Sequence, residues 1–171
     1  MKRRTGYLAA FVAMFLSFMM INSTSSYAWA AGGEWKNNTP NSVKCATPQG
    51  NSNANGTVLT LWDCTNSYAQ KFQLTSDNHT LIHVASGKCV TPKGNSTANG
   101  TVLTLWTCTG SNLQQWEVGD YSLARNRTTS WVGDKCVTNY GDSQANGTWM
   151  TLWTCSGDWP RSQDWAMNWY H

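Results

Sequence analysis

The side chains that could carry out acid, base or nucleophilic chemistry are few in this chain. Beyond residue 30 the histidines and glutamates are His79, His83, His171, Glu34 and Glu117. Catalysis usually needs an acid and a base held at different pKa values, and none of these residues stands in a motif with a known mechanism. His79 and His83 flank an apolar Leu-Ile pair, which we interpret as a strand with ordinary surface histidines. The sequence therefore predicts a protein that is not an enzyme.

The six cysteines recur as three pairs whose members stand nineteen positions apart. The pairs are Cys45 with Cys64, Cys89 with Cys108, and Cys136 with Cys155. Six cysteines in an exported chain are typical of three disulfides and allow fifteen pairings, of which pairing within each unit of the repeat is the simplest. Each such bridge closes a loop worth on the order of 3 kcal/mol in the chain-entropy model. Metal sites need short Cys-x-x-Cys spacings or clustered histidines, so we predict no metal and no cofactor.

The first thirty residues have the three-part layout of a secretory signal peptide. A basic start at residues 2–4 precedes an apolar run at residues 7–21, and a polar segment ends in Ala-Trp-Ala at residues 28–30. The apolar run is short for a bilayer span and has no basic far flank. We therefore expect cleavage after Ala30 and secretion to the extracellular space, with a retained membrane anchor as the alternative.

Loss of residues 1–30 changes the charge of the chain. It removes three of the 12 lysines and arginines and none of the nine aspartates and glutamates, so nine of each remain and the formal charge is zero. A neutral surface offers no electrostatic footprint for phosphate backbones or anionic lipid. We predict no nucleic-acid partner and no membrane association after cleavage. We also predict a monomer with one domain at residues 33–171.

The chain after the signal peptide repeats itself three times. The first cysteines of the pairs are 44 and then 47 residues apart, and we place the units at about residues 35–78, 79–120 and 121–171. Each unit has short apolar runs bounded by Gly, Asn, Pro and Ser, as short β-strands with tight connections do. An Asn-Gly pair, suited to the left-handed backbone of a turn, precedes a recurring strand-like TVLTLW or TWMTLW.

Alternation within this recurring strand separates two faces. In the first unit Leu59 and Leu61 fall on one face, whereas Val58, Thr60 and Trp62 fall on the other face with the second cysteine. We assign the aliphatic face to the core, which leaves a threonine and a tryptophan beside the disulfide. Alternatively the tryptophans are simply buried, since large aromatics usually supply packing.

Each unit closes with a glutamine two places before an aromatic residue. The closing motifs are Gln70-Lys71-Phe72, Gln114-Gln115-Trp116 and Gln163-Asp164-Trp165. Together with the cysteine pairs and the Leu-Trp before each second cysteine, they resemble the ricin-type β-trefoil, the fold of ricin B-chain lectins and of many carbohydrate-binding modules. The resemblance implies an all-β fold, a β-trefoil of three pseudo-symmetric four-stranded repeats. With the cysteines paired within each unit, every repeat has one disulfide. The resemblance also implies that the closing aromatics Phe72, Trp116 and Trp165 are core residues.

In that family a sugar site lies beside the closing motif. A pyranose stacks its apolar C–H face on an aromatic platform two residues before the second cysteine, and an aspartate two residues after the first cysteine accepts bonds from two hydroxyls. The platform is present in every unit, as Trp62, Trp106 and Trp153. The aspartate position is held by Thr47, Thr91 and Thr138, and the family's glutamine two residues before the platform is replaced by Thr60, Thr104 and Thr151. The closing glutamines Gln70, Gln114 and Gln163 are further candidate carbohydrate-binding residues, and the third unit adds Tyr140 and Asp142.

The threonines allow two interpretations. If Cys45 and Cys64 face each other across an antiparallel pair, Thr47 lies opposite Trp62, with Thr60 on the same face. This patch can hold a sugar, although an uncharged hydroxyl makes the weaker hydrogen bond. It can equally be a cross-strand pair that only stabilises the sheet.

The third unit differs most from the other two. Tyr140 and Asp142 add an aromatic ring and a carboxylate to the loop after the first strand of the cysteine hairpin, and Trp149 replaces a valine. The unit also has extra or altered segments at residues 125–133 and 159–161. Aromatics, carboxylates and arginines on loops are what binding surfaces use, so if a single site works we expect it here. The alternative is that this bulk closes the barrel against the chain ends.

We therefore predict a secreted β-trefoil that binds a glycan or polysaccharide without catalysis, through shallow aromatic sites in up to three copies. Several weak sites on one domain can bind a repeating polysaccharide by avidity. The alternative is a trefoil that has lost sugar recognition and acts as a protein-interaction or inhibitor module, and a third possibility is a secreted scaffold. Exposed tryptophans favour the carbohydrate-binding module. A binding surface made by the third unit's loops alone favours the protein-interaction module.

Overall fold

The computed structural model describes residues 32–38, 42–76, 79–118, 124–129, 134–156 and 161–167. The predicted signal peptide at residues 1–30 lies outside these ranges. Within them, no helix has the length and apolar character that crossing a membrane requires.

The described part of the chain consists of short strands and single-turn 3-10 helices. The strands are β1 (Gly33–Asn37), β2 (Lys44–Pro48), β3 (Leu59–Asp63), β4 (Lys71–Leu74), β5 (Leu81–His83), β6 (Lys88–Pro92), β7 (Leu103–Trp106), β8 (Trp116–Glu117), β9 (Arg125–Asn126), β10 (Lys135–Asn139), β11 (Met150–Thr154) and β12 (Trp165–Met167). The 3-10 helices are Gln49–Asn51, Tyr68–Gln70, Lys93–Asn95, Asn112–Gln114, Arg127–Thr129, Tyr140–Asp142 and Arg161–Gln163. The predicted all-β class is confirmed, with four strands to each unit.

Among the described residues the strand pairings are all antiparallel, and most of them follow the threefold repeat. The second and third strands of each unit form a hairpin (β2–β3, β6–β7 and β10–β11), and the first strand pairs with the second. Successive units are joined through β4–β5 and β8–β9. The last strand, β12, pairs with β1, where Trp35 lies opposite Met167. The third unit therefore closes back onto the first.

The three hairpins are joined to one another by their Asn-Gly turns. The Gly56 amide donates to the Leu105 carbonyl oxygen at 2.8 Å, and the Leu105 amide donates to the Thr57 carbonyl oxygen at 2.8 Å. The same reciprocal pairs link Gly100 and Thr101 to Leu152, and Gly147 and Thr148 to Leu61. The turn glycines have φ angles of 83–84°, the left-handed backbone that the Asn-Gly motif predicted. The hairpins thus form a closed ring, first to second, second to third and third to first.

The core combines the aliphatic face of the hairpins with the aromatic residues of the closing motifs. The hairpin residues Leu59, Leu61, Leu103, Leu105, Met150 and Leu152 have no exposed surface, and neither have Phe72, Trp116 and Trp165. Trp35 packs between two closing aromatics, with ring centroids 5.8 Å from Phe72 and 5.1 Å from Trp165. Both predicted sets of core residues are confirmed, and burial of this apolar surface is the main favourable contribution to folding.

The disulfides join the two cysteines within each unit, as predicted. Their Cα–Cα distances are 5.0, 5.1 and 5.0 Å. The strand register expected from them is wrong by two residues, because Cys45 lies opposite Trp62 and Thr47 lies opposite Thr60. Cys64 follows the end of β3, so it reaches Cys45 diagonally and not from the directly opposite position. The other two hairpins have the same register.

The prediction that His83 is a surface residue is also wrong. Its side chain is fully buried beside Phe72, with ring centroids 5.1 Å apart. Its Nε2 donates to the Ala69 carbonyl oxygen at 3.0 Å, and its Nδ1 lies 2.8 Å from Ser86 Oγ. His83 shares a face of β5 with the core residue Leu81, which period-two alternation could have indicated. Burial lowers the pKa of His83 below its ordinary value of 6.5, against the opposing effect of the bond to Ala69.

This buried histidine predicts a loss of stability in mild acid. Unfolded His83 takes up a proton near pH 6.5 while the folded ring resists it, so between these two pKa values the unfolded chain binds more protons. The free energy of unfolding should therefore fall as the pH drops from 6.5 towards the lowered folded pKa, and be fully retained above 6.5. Urea unfolding followed at a series of pH values measures this slope.

His83→Asn is the matched control for the pH experiment. In the third unit Asn126 Nδ2 donates to the Leu113 carbonyl oxygen at 2.9 Å, as His83 does to Ala69, so asparagine keeps the donor and removes the titration. The variant should show a flatter dependence of the unfolding free energy on pH. An equal slope in both proteins would assign the effect to other groups.

Candidate functional site

Each unit has a concavity on the outer side of its hairpin. Its volume is about 380 Å³ in the first unit, about 220 Å³ in the second and about 480 Å³ in the third. The first is lined by Thr47, Thr60, Trp62 and Gln70 and the second by Thr91, Thr104 and Trp106, whereas the third is lined by Thr138, Tyr140, Asp142, Thr151, Trp153 and Gln163. Of the predicted site residues, only Gln114 is missing from its unit's concavity.

The platform tryptophans are half exposed. Trp62, Trp106 and Trp153 each expose 46% of their surface, so the alternative that they are buried is excluded. Each indole lies against the turn glycine of another unit: a Cβ on Gly56 would lie 3.6 Å from Trp106, one on Gly100 3.6 Å from Trp153, and one on Gly147 4.0 Å from Trp62. A turn of another unit therefore supports each indole, and in the first and second units its glycine, Gly147 or Gly56, also lines the concavity. The sequence of a single unit does not reveal this contribution.

Side chains hold these turns in place beneath the indoles. Beside Trp62, Asn146 Nδ2 donates to Asp63 Oδ2 at 2.8 Å, and Lys44 Nζ donates to Asn146 Oδ1 at 2.9 Å and to Asp63 Oδ1 at 2.5 Å. The bond from Lys44, followed by that from Asn146, lowers the pKa of the Asp63 carboxyl, so this group is charged at neutral pH. Asn99 accepts from Lys135 Nζ at 2.7 Å at the equivalent place in the third unit.

The threonine hydroxyls are hydrogen-bonded inside the hairpins. Thr47 Oγ1 donates to the Cys45 carbonyl oxygen and Thr60 Oγ1 donates to the Thr47 carbonyl oxygen, both at 3.0 Å. The threonines of the other two units repeat these bonds at 3.0–3.1 Å, and all six expose 7% or less of their surface. A hydroxyl has a single proton, so these threonines can only accept hydrogen bonds from a ligand.

The closing glutamines are also occupied. Gln70 Nε2 donates to Thr47 Oγ1 and to the Asp63 carbonyl oxygen, both at 2.9 Å, and its Oε1 accepts from the Thr65 amide at 2.8 Å. Gln114 and Gln163 make the equivalent bonds. These amides have little hydrogen-bonding capacity left for a ligand. They tie the threonine strand to the end of the tryptophan strand and so position the concavity.

A one-turn 3-10 helix after the first hairpin strand forms another wall. The last two residues of this turn have positive φ in all three units, and the final residue is Asn51, Asn95 or Asp142. Asparagine and aspartate tolerate this backbone better than most residues. Asp142 therefore adds a carboxylate to the third unit without changing the loop, and its Oδ1 accepts from Ser162 Oγ at 2.5 Å.

One group of potential metal-ligating residues occurs in the described part of the chain, and its chemistry does not suit a metal. Glu34, Cys45 and Cys64 lie close together, but the two sulfurs form a disulfide and so offer no thiolate. The Glu34 carboxylate accepts from the Asn66 amide at 2.9 Å and pairs with Lys36 at 3.2 Å. These contacts satisfy a buried carboxylate without an ion.

Comparison with known families agrees with this geometry. The model of the ricin-type beta-trefoil lectin domain matches residues 31–165. The chain belongs to this family. No curated protein sequence matches it. The ricin-type architecture accounts for the repeated hairpins, the buried closing aromatics and the closed ring of units.

Solved structures show the same fold. This ricin-type chain is similar to the designed threefold-symmetric protein ThreeFoil, with 21% identity and a TM-score of 0.64 over 72% of this chain and 89% of that one. It is similar to the exo-β-1,3-galactanase 1,3Gal43A from Clostridium thermocellum, with 20% identity and a TM-score of 0.69 over 82% of this chain and 30% of that one. The C-half of an earthworm R-type lectin, in complex with GalNAc, is 10% identical with a TM-score of 0.60 over 79% of this chain and 98% of that one. The predicted β-trefoil is confirmed.

Proposed function

We propose that this ricin-type trefoil is a secreted, non-catalytic carbohydrate-binding module whose sites are the concavities beside Trp62, Trp106 and Trp153. The observation that carries the proposal is the half-exposed indole that recurs at the same place in all three units. Such a ring leaves apolar surface in water, and the C–H face of a pyranose is a ligand that would cover it. Three disulfides favour an oxidising, extracellular location.

The structure supports a division of roles among the site residues. The tryptophans would stack on the sugar, and the buried threonines would accept hydrogen bonds from its hydroxyls. The glutamines would act as positioning residues, because their own amide groups are already bonded. In the third unit Asp142 would supply the charged acceptor that the threonines lack, since a carboxylate makes stronger bonds to hydroxyls than a neutral oxygen does. We expect the third site to be the tightest.

The absence of catalysis is part of the proposal. Hydrolysis of a glycosidic bond usually requires two carboxyl groups on opposite sides of that bond. Among the described residues that line the three concavities, one has a carboxylate, Asp142. A single acid without a partner supports recognition of a sugar and not its cleavage.

Replacing Trp153 with alanine is expected to weaken glycan binding at the third site about tenfold, the equivalent of about 1.4 kcal/mol. Trp62→Ala and Trp106→Ala should weaken the other two sites. The oxidised mature chain is titrated with galactose, N-acetylgalactosamine and β-1,3-galactan, the last two suggested by two of its structural neighbours. It is then titrated with a wider panel of glycans and insoluble polysaccharides. Tryptophan fluorescence and pull-down report binding.

Tyr68→Ala is the matched control for these variants. Tyr68 is an exposed aromatic residue of the first unit that does not line the concavity, so its loss should leave binding unchanged. If the folded protein binds no glycan in the panel, or if all three tryptophan variants bind as well as the parent, the proposal fails. A protein partner for the exposed aromatics of the third unit then becomes the better hypothesis.

A further inference from the structure

The third unit has a pair of exposed aromatic rings that the other units lack. The ring centroids of Tyr140 and Trp149 are 6.2 Å apart with their planes tilted by 52°, and the residues expose 57% and 47% of their surface. The first unit has Gln49 and Val58 at these positions, and the second has Lys93 and Val102.

The backbone under this pair is the same in all three units. The Tyr140 amide donates to the Trp149 carbonyl oxygen at 2.9 Å, as Gln49 does to Val58 and Lys93 to Val102. The two rings are therefore additions to a shared frame. Core packing does not require them, because the first two units build the same hairpin without them.

The pair continues the surface of the third concavity. Tyr140 lines that concavity together with Asp142 and Trp153, and Trp149 packs beside Tyr140. Trp149 immediately precedes β11 and pairs with Thr60 in an antiparallel bridge. Alternation therefore places it on the same face as Trp153, which is four residues further on and about 13 Å away. The three rings form an aromatic surface longer than a single pyranose.

Trp149 also lies at the junction between the third unit and the first. It pairs across the hairpin ring with Thr60, whereas valines make the equivalent contacts at the other two junctions, Val58 with Thr104 and Val102 with Thr151. Thr60 lines the concavity of the first unit. The aromatic surface therefore extends from the third concavity towards the first.

We propose that Tyr140 and Trp149 form a second sugar subsite, contiguous with the third concavity, that holds the next pyranose of a glycan chain. The third unit then binds an oligosaccharide, while the first and second units bind a single sugar each. The inference rests on the proposed carbohydrate binding. A chain is the favoured occupant because the rings continue a concavity that offers a carboxylate and hydroxyl oxygens. Two rings are few for a protein partner, which usually buries about 20–30 residues on each side.

The test isolates the third unit in a Trp62→Ala, Trp106→Ala background. Calorimetry compares three pairs of probes: galactose with β-1,3-galactotriose, glucose with cellotriose, and xylose with xylotriose. For the sugar that binds, we expect the trisaccharide to bind at least about tenfold more tightly than its monosaccharide. Trp149→Val, which restores the residue of the other two units, should bring the trisaccharide affinity to within about twofold of the monosaccharide affinity. The monosaccharide affinity itself should not change.

Tyr140→Gln, which restores the residue of the first unit, should reduce the same preference. Equal affinity for monosaccharide and trisaccharide in the parent would overturn the second subsite and leave the proposed function intact. An equal loss for both probes in Trp149→Val would also overturn it, because Trp149 would then belong to the first subsite. If the folded wild-type chain binds none of these probes, the subsite proposal fails. If it also binds no glycan of the wider panel, the proposed function fails with it.

Discussion

Replacing all six cysteines with serine is expected to unfold this ricin-type trefoil. Each disulfide connects the first strand of a hairpin to a cysteine one or two residues beyond the end of its partner strand. In the chain-entropy model a loop of this length is worth about 3 kcal/mol, so three independent loops contribute about 9 kcal/mol. The whole stability of a domain is usually about 5–15 kcal/mol, so this loss removes most or all of it.

Three variants that each lose one disulfide separate the contributions of the three bridges to stability. Cys45→Ser with Cys64→Ser, and the matching double changes in the other units, should each lower the free energy of unfolding by about 3 kcal/mol. Urea unfolding followed by tryptophan fluorescence and far-ultraviolet circular dichroism measures each value. A variant without any cysteine that still unfolds cooperatively, with the fluorescence of the parent, would show that the hairpin ring and core suffice.

Replacing Trp116 with alanine is expected to cost about 3–5 kcal/mol of stability. The side chain is fully buried, and its Nε1 donates to the Val90 carbonyl oxygen at 3.1 Å. Alanine leaves both a cavity and a buried carbonyl oxygen that has lost this donor. Urea unfolding of the variant gives the cost directly.

The repeat provides matched controls for this experiment. Trp116→Phe introduces the residue that the first unit has at the same place, Phe72, so we expect a smaller cost of about 1–2 kcal/mol for the lost hydrogen bond and part of the ring. Trp106→Ala removes an exposed indole and should change stability by about 0.5 kcal/mol or less. If the alanine variant at Trp116 is no less stable than the phenylalanine variant, the closing aromatics do not hold the core together.

The threefold repetition is the reason why the fold could be predicted from the sequence. Three copies in register showed which leucines share a face, which cysteines belong together and which aromatic closes each unit, so the core and the disulfides were placed correctly. The register of the hairpins was not, because a spacing of nineteen residues does not show that Cys64 lies beyond its strand. The burial of His83 was missed because the alternation of side chains along β5 was not applied. Alternation places His83 on the same face as the core residue Leu81.

The predicted site residues, apart from Gln114, line the three concavities, but their roles depend on contacts that no sequence contains. Hydrogen-bond directions decide that Thr47 can accept from a ligand but not donate to it, and that the amide of Gln70 is already engaged. The turn glycines were predicted from their local backbone alone. Their place beneath the tryptophan of another unit follows from how the three hairpins meet, and a single unit gives no sign of it.

Each indole rests on a turn that belongs to another unit, so a turn that opens would remove the support of the platform. A glycan could then not stay bound on that platform while the turn beneath it is open. The bound sugar would then slow amide hydrogen exchange at Gly56, Gly100 or Gly147, whose amides bond to the strand of the adjoining unit. In the reverse direction, the time for which a sugar stays bound would be limited by how often the turn beneath it opens. The kinetics of release from one unit would therefore be set partly by the stability of its neighbour.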